Sequence, residues 1–170
     1  FEEAFSDIEK ALLSGPVAVL VSGDSGIYSL TPLLLKRFRD QADVRIVPGV
    51  SSMQYLCAAA GEKWDDAAIL SVHGRKVSEA LILDAADENR RAVFFCGPDK
   101  TPQWLCRLLS DNGLGGVRVT VGERLSYDGE TITTGAAAEL ADREFDALSV
   151  VLTVNEQPWR PVNTRPRDKD

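Results

Sequence analysis

Apolar residues Phe5, Ile8, Leu12 and Leu13 recur at helical spacing through residues 1–14, and Gly15-Pro16 stops the helix they predict. The next five residues, VAVLV at 17–21, form an unbroken apolar run, the pattern of a strand buried on both faces in a parallel sheet. Residues 22–26, SGDSG, read as a loop. A helix is expected over 28–38 and a second strand over 44–47. Pro48-Gly49 turns the chain, and Ser51 is placed to N-cap a helix running through Ala60. This order, helix–strand–helix–strand–helix, predicts a doubly wound parallel lobe with right-handed crossovers.

Residues 61–66 read as a link between lobes. Beyond them the pattern predicts a strand over 67–72, a helix over 77–89, a strand over 92–96, a helix over 101–112 and a strand over 117–121. A turn at 127–130, YDGE, leads into a short strand over 131–134. A short helix near 135–141 and a strong strand over 148–154 complete the second lobe, whose sheet is expected to be mixed. Residues 156–170 hold three prolines among many charges and read as a tail or linker. The expected division is 1–65, 66–155 and 156–170.

Composition narrows the function classes. The chain has 170 residues, 44% hydrophobic and 26% charged, which are ordinary globular values. Its net charge of −7 lacks the basic excess that nucleic acid or a membrane surface selects. No apolar run approaches the ~20 residues of a membrane span. Three cysteines, Cys57, Cys96 and Cys106, are an odd number in apolar contexts with no C-x-x-C spacing. Reduced core thiols in a cytoplasmic protein are the expectation. The sole Met is Met53, and the chain opens inside a helical pattern, as a piece of a longer protein would.

Three strand-end loops carry the candidate chemistry. The first, Gly23-Asp24-Ser25-Gly26, has the string of a trypsin-type nucleophile segment. The chain's one histidine, His73, follows that serine in an α/β context, however, and position 27 is Ile, so neither a protease triad nor a G-x-S-x-G elbow fits. At the carboxyl end of a parallel strand the loop is placed to meet a ligand. It reads equally as a tight turn closed by an Asx bond. The second loop, Pro48-Gly49-Val50-Ser51-Ser52, presents hydroxyls at a helix N-terminus, which serve a ligand or simply cap the helix. The third, Ser71-Val72-His73-Gly74-Arg75, places a lone histidine at a strand end. No second His or Cys lies at ligand spacing, so no metal site is expected.

Together the strings VSGDSGIYSL, VRIVPGVSSMQYLCAAAG and WDDAAILSVHGR resemble the tetrapyrrole methylases, S-adenosylmethionine-dependent methyltransferases of corrin and sirohaem synthesis. Within them, SVHGR and the downstream TPQWLCRLLSDNGLGGVRVTVGERLSYDGETI look most like the CbiE branch. That branch methylates C5 of precorrin-6Y, and also occurs as the amino-terminal half of fused C5,15-methyltransferases. The resemblance runs from about residue 13 to residue 155.

It implies a two-lobed α/β fold, an incomplete parallel αβα lobe followed by a mixed-sheet α/β lobe, with S-adenosylmethionine in a cleft between the two. Gly23, Asp24 and Ser25 match the family's Gly-Asp-Pro cofactor loop, with Ser25 in place of the proline. Ser51 and Ser52 match the hydroxyl residues after its Pro-Gly turn. Cys96, Leu125 and Ala147 match adenine-contacting positions. Family members begin with a strand and a G-x-G-P loop ahead of the point where this chain starts, so the chain reads as amino-terminally truncated.

The resemblance also implies a homodimer, a precorrin substrate, and a C15-methylating, decarboxylating partner or fused domain. Methyl transfer from a sulfonium is an in-line displacement that asks mainly for orientation and a dry site. His73 and Asp24 are the candidates for a general base. Arg75 and Arg124 are the candidates for pairing with substrate carboxylates. A methylase acting at another ring carbon, a diphthine synthase or ribosomal-RNA methyltransferase of the same fold, and a non-catalytic lobe are the alternatives.

Overall fold

A computed structural model describes residues 2–157. By its internal contacts the chain divides into two units, Phe1–Gly49 and Val50–Asp170. The first holds helices α1 (Glu2–Leu12) and α2 (Thr31–Phe38). Phe5 of α1 and Phe38 of α2 meet edge to face at 5.9 Å between ring centres, and both are buried. Helix α2 starts three residues later than its apolar pattern suggests. Tyr28 has a positive φ of 48°, which no helix tolerates, and Pro32 opens the first turn, where its missing N–H costs nothing.

The two strands expected at 17–21 and 44–47 do not form. Both segments run without a ladder among the described residues, and Leu20 and Val47 stand 93% and 70% exposed. Residues of both runs line one cavity of about 690 Å³, together with Ile8, Leu12, Leu34 and Phe38 from the helices. β-branched composition favours an extended backbone, but a strand also requires a hydrogen-bonding neighbour about 4.8 Å away. The described residues of the first unit thus show the expected helices without paired strands between them.

The second unit begins with α3 (Ser52–Ala59), capped by Ser51 through a complete capping box with Gln54. It continues through β1 (Ala68–Ser71), α4 (Glu79–Glu88), β2 (Arg91–Phe95), α5 (Pro102–Leu109), β3 (Arg118–Glu123), β4 (Thr131–Ala136), α6 (Ala137–Leu140) and β5 (Ser149–Val154). A π-helical turn over Ser110–Leu114 carries α5 onward to Gly113, whose φ of 83° ends it. The expected short strand over 131–134 runs two residues further, because each residue of β4 finds a partner on β3 as far as Arg118 opposite Ala136. Helix α6 is correspondingly shortened.

The sheet is mixed, in the order β1-β2-β5-β3-β4, with β1 and β2 parallel and every other pair antiparallel. Alternation along β3 divides the core. Val119 and Val121 point into a cluster with Ile82, Leu105, Cys106, Leu109 and Leu140 from α4, α5 and α6. Gly122 points the other way, against Leu56 of α3. Packing of α3 on β5 places that helix in the second unit, whereas the sequence pattern puts the break near residue 65.

The link at 61–66 is pinned to this sheet by charge. Arg91, 9% exposed, donates to Glu62 at 2.9 Å and to Asp66 at 3.2 Å, and Arg118 donates to the other Glu62 oxygen at 2.6 Å. The tail expected over 156–170 lies outside the described residues apart from its first two positions.

Candidate functional site at the carboxyl edge of the sheet

In the second unit the sheet register gathers four strand ends on one edge. Ser71, the last residue of β1, pairs with Phe95, the last of β2. Just beyond, the Cys96 N–H donates to the Ser149 carbonyl at 3.3 Å, which joins the end of β2 to the start of β5. The Arg124 N–H donates to the Leu148 carbonyl at 2.9 Å, which joins the end of β3 to the same point. His73, Cys96, Arg124, Leu125 and Ala147 thus belong to three adjacent strand ends and the β1 loop beside them. In α/β sheets such an edge is where ligands bind.

The side chains along this edge differ in what they offer. Cys96 turns inward, buried beside Cys106 among the α5 core residues, and burial pushes its thiol up to about 12. Only its backbone faces the edge. Leu125 is buried against Gly122, and Ala147 is exposed. Two flanking residues, Arg124 and Ser126, have positive φ values of 49° and 67°. Non-glycine residues held this way are uncommon and gather at functional turns. Glu130 ties the turn down, accepting the Ser126 N–H at 2.6 Å and the Tyr55 hydroxyl at 3.1 Å. Those bonds hold the Tyr55 hydroxyl above its ordinary pKa, chiefly through the Glu130 hydrogen bond.

Both arginines expected to meet substrate lie near this edge. Arg124 is held by Asp146 at 3.6 Å and by the Asp128 carbonyl at 3.2 Å. Arg75 lies with His73 and Lys76 on the exposed loop between β1 and α4.

The remaining expected site residues fall elsewhere. In the first unit, Asp24 accepts the Gly26 N–H on one carboxylate oxygen at 2.7 Å and the Gly49 N–H on the other at 3.1 Å. Ser25 is buried and donates to the Val47 carbonyl at 3.0 Å. Gly23 has a φ of 68°. The structure therefore brings Gly23, Asp24 and Ser25 together with Pro48-Gly49, and both Asp24 oxygens already accept backbone hydrogen bonds. At the start of α3, the Ser51 hydroxyl accepts the Met53 N–H at 3.4 Å, and Ser52 opens the first turn.

Two residues absent from the sequence reading belong to the edge. Gly97 follows Cys96, and a Cβ built on it would lie 1.9 Å from His73 Nδ1. Ser149 carries a buried hydroxyl with no hydrogen-bond partner among the described residues. A lone serine opening a strand has no signal in sequence; only the register shows where it sits. Such an orphan is costly unless a ligand or water satisfies it. The edge thus carries the Cys96 backbone, the apolar Leu125, the small exposed Ala147 and the partnerless Ser149 hydroxyl. Among the described residues no group of three or more His, Cys, Asp or Glu side chains is arranged to hold a metal ion. Among them, too, no helix is long and apolar enough to cross a membrane.

Over 136 residues the chain is 32% identical to a protein of Salmonella typhimurium named cobalt-precorrin-7 C(5)-methyltransferase, covering 79% of this chain and 65% of the relative. Over 123 residues it is 33% identical to a Sinorhizobium protein named precorrin-6Y C(5,15)-methyltransferase [decarboxylating], covering 72% of this chain and 29% of the relative. The chain thus spans less than two thirds of the length of these relatives.

Among solved structures, the methyltransferase CobJ superposes with a TM-score of 0.72 at 20% identity, covering 90% of this chain and 70% of that one. A uroporphyrin-III C-methyltransferase from Thermus thermophilus, complexed with S-adenyl homocysteine, superposes at 0.66 and 21% identity, covering 90% and 72%. At these identities the structures speak for the fold. Residues 1–141 match the family described as Tetrapyrrole (Corrin/Porphyrin) Methylases, and the chain belongs to that family.

Proposed function

We propose that the protein is an S-adenosylmethionine-dependent C-methyltransferase of corrin biosynthesis, acting at C5 of a precorrin-6Y-type or cobalt-precorrin macrocycle. The observation that carries this reading is the register of β2, β5 and β3, which puts Cys96, Leu125 and Ala147 on one edge beside the orphaned Ser149 hydroxyl. Relatives named as C5-methyltransferases cover most of the chain and support the same substrate class.

When bound, S-adenosylmethionine supplies a methyl group already activated on a sulfonium, so the protein need only orient it and keep the site dry. In this reading the Cys96 backbone, Leu125, Ala147 and Ser149 hold the adenine. Gly23, Asp24 and Ser25 serve the methionine and ribose portion, with Ser51 and Ser52 at the start of α3. Because both Asp24 oxygens accept backbone N–H groups, its part is to shape that loop rather than to move a proton. Arg75, on the loop beside the edge, pairs with a substrate carboxylate. The protein works in the cytoplasm as a homodimer, with C15 methylation and decarboxylation supplied by a partner or fused domain.

Incubation with methyl-labelled S-adenosylmethionine and a panel of precorrins, with the methylated carbon located by NMR, tests the reading. Label at C5 is expected; label at another ring carbon, or none, overturns it.

A further inference from the structure

The loops after β1 and β2 are fastened to each other at two points. Lys100 Nζ donates to the Val77 carbonyl at 2.9 Å, and the His73 N–H donates to the Phe95 carbonyl at 3.2 Å. Between these points the imidazole of His73 fills the place where Gly97 would carry a Cβ. The atoms nearest that position are Nδ1, Cγ and Cε1, at 1.9, 2.7 and 2.9 Å. The Nδ1 edge of the ring thus rests on Gly97, which leaves Cδ2 and Nε2 on the far edge. His73 is exposed, and no hydrogen bond to its side chain is found among the described residues. It opens a run, His73-Gly74-Arg75-Lys76, that is basic in a chain of net charge −7.

We propose that His73 is a substrate-binding residue seated on Gly97, donating from Nε2 to a carboxylate of the anionic substrate that lies on the sheet edge. Gly97 is then a positioning residue: any side chain there displaces the imidazole. This rests on the methyltransferase reading above and adds to it how the protein recognises the charged periphery of its substrate.

Uroporphyrin III, an octacarboxylic tetrapyrrole, serves as the probe, its binding followed by porphyrin fluorescence. S-adenosylhomocysteine binding is measured by calorimetry on the same samples. His73→Ala is expected to weaken uroporphyrin binding about tenfold, the size of a lost hydrogen bond to a charged group, and to leave S-adenosylhomocysteine affinity unchanged. His73→Gln, which keeps a donor, recovers most of the loss. Gly97→Ala weakens uroporphyrin binding as much as His73→Ala, and the double variant no further, because both remove one interaction.

Equal uroporphyrin affinity in His73→Ala and the unaltered protein overturns the proposal, as does S-adenosylhomocysteine binding with no uroporphyrin binding at all. Additive losses in the double variant overturn the seating by Gly97. If the unaltered protein binds neither ligand, the methyltransferase reading fails first and this inference falls with it.

Discussion

Asp24 accepts the N–H of Gly49 at 3.1 Å, and a Cβ on Gly49 would lie 2.3 Å from the Gly23 carbonyl oxygen. Two loops that begin 25 residues apart in sequence are thus closed onto each other by one carboxylate and one glycine. The apolar runs leading into them remain unpaired.

Replacing Asp24 by Ala removes acceptors from both the Gly26 and Gly49 amides, at about 1 kcal/mol for each hydrogen bond lost. Faster hydrogen exchange at those two amides is the expected outcome. Gly49→Ala, which forces Cβ into the Gly23 carbonyl, costs about 1–3 kcal/mol by overpacking. Unchanged exchange in Asp24→Ala would show that the two loops are held by something else.

Glu62 contributes to acid stability. The Arg118 hydrogen bond, followed by that of Arg91, holds its carboxyl below the usual glutamate range against the opposing pull of burial. A depressed folded pKa stabilises the fold above the unfolded value, and the contribution is lost as pH falls through the folded value. Glu62→Gln takes a shared carboxylate from Arg91 and Arg118, which keep Asp66 and Glu156, and is expected to cost about 2 kcal/mol at neutral pH. The gap from the unaltered protein should close as the pH drops below the ordinary glutamate range. A gap that persists there in urea titrations would contradict the assignment.

The three thiols are expected to be inert in the folded protein. Burial raises Cys57, pushes Cys96 up to about 12, and pushes Cys106 up to about 11. Thiolate is the reactive form, so iodoacetamide at pH 8 should label none of them until denaturant is added. Labelling of Cys96 in the native state would place it at the surface of the edge instead of in the core.

Ser149 yields a prediction of opposite signs. Removing an unsatisfied buried hydroxyl relieves the free protein, so Ser149→Ala should melt at the same temperature or higher. If that hydroxyl is what a ligand satisfies, the same variant should bind S-adenosylhomocysteine about tenfold more weakly. Equal affinity in the two proteins would assign the orphan a structural origin.

Much of the second unit was legible in the sequence, because its signals are local. Alternation and apolar runs marked five strands, Ser51 announced its helix as a cap, and the YDGE turn announced the β3–β4 hairpin. The candidate residues Cys96, Leu125 and Ala147 were named only through family resemblance, since they share no pattern in sequence until the register brings their strand ends together. Gly97 and Ser149 were not legible at all. A glycine that makes room for a ring 24 positions away, and a hydroxyl left without a partner, are tertiary facts. The first unit misled for a related reason: residues 17–21 and 44–47 have the composition of strands, but composition supplies no pairing partner.

The central claim is that the edge formed by β2, β5 and β3 holds the adenosyl group of a methyl donor. Titration of S-adenosylhomocysteine into isotope-labelled protein, followed by amide NMR, tests it most directly. The account predicts saturable shifts at Cys96, Gly97, Leu125, Ala147 and Ser149. Saturation without shifts at those amides, or no binding at millimolar ligand, would contradict it.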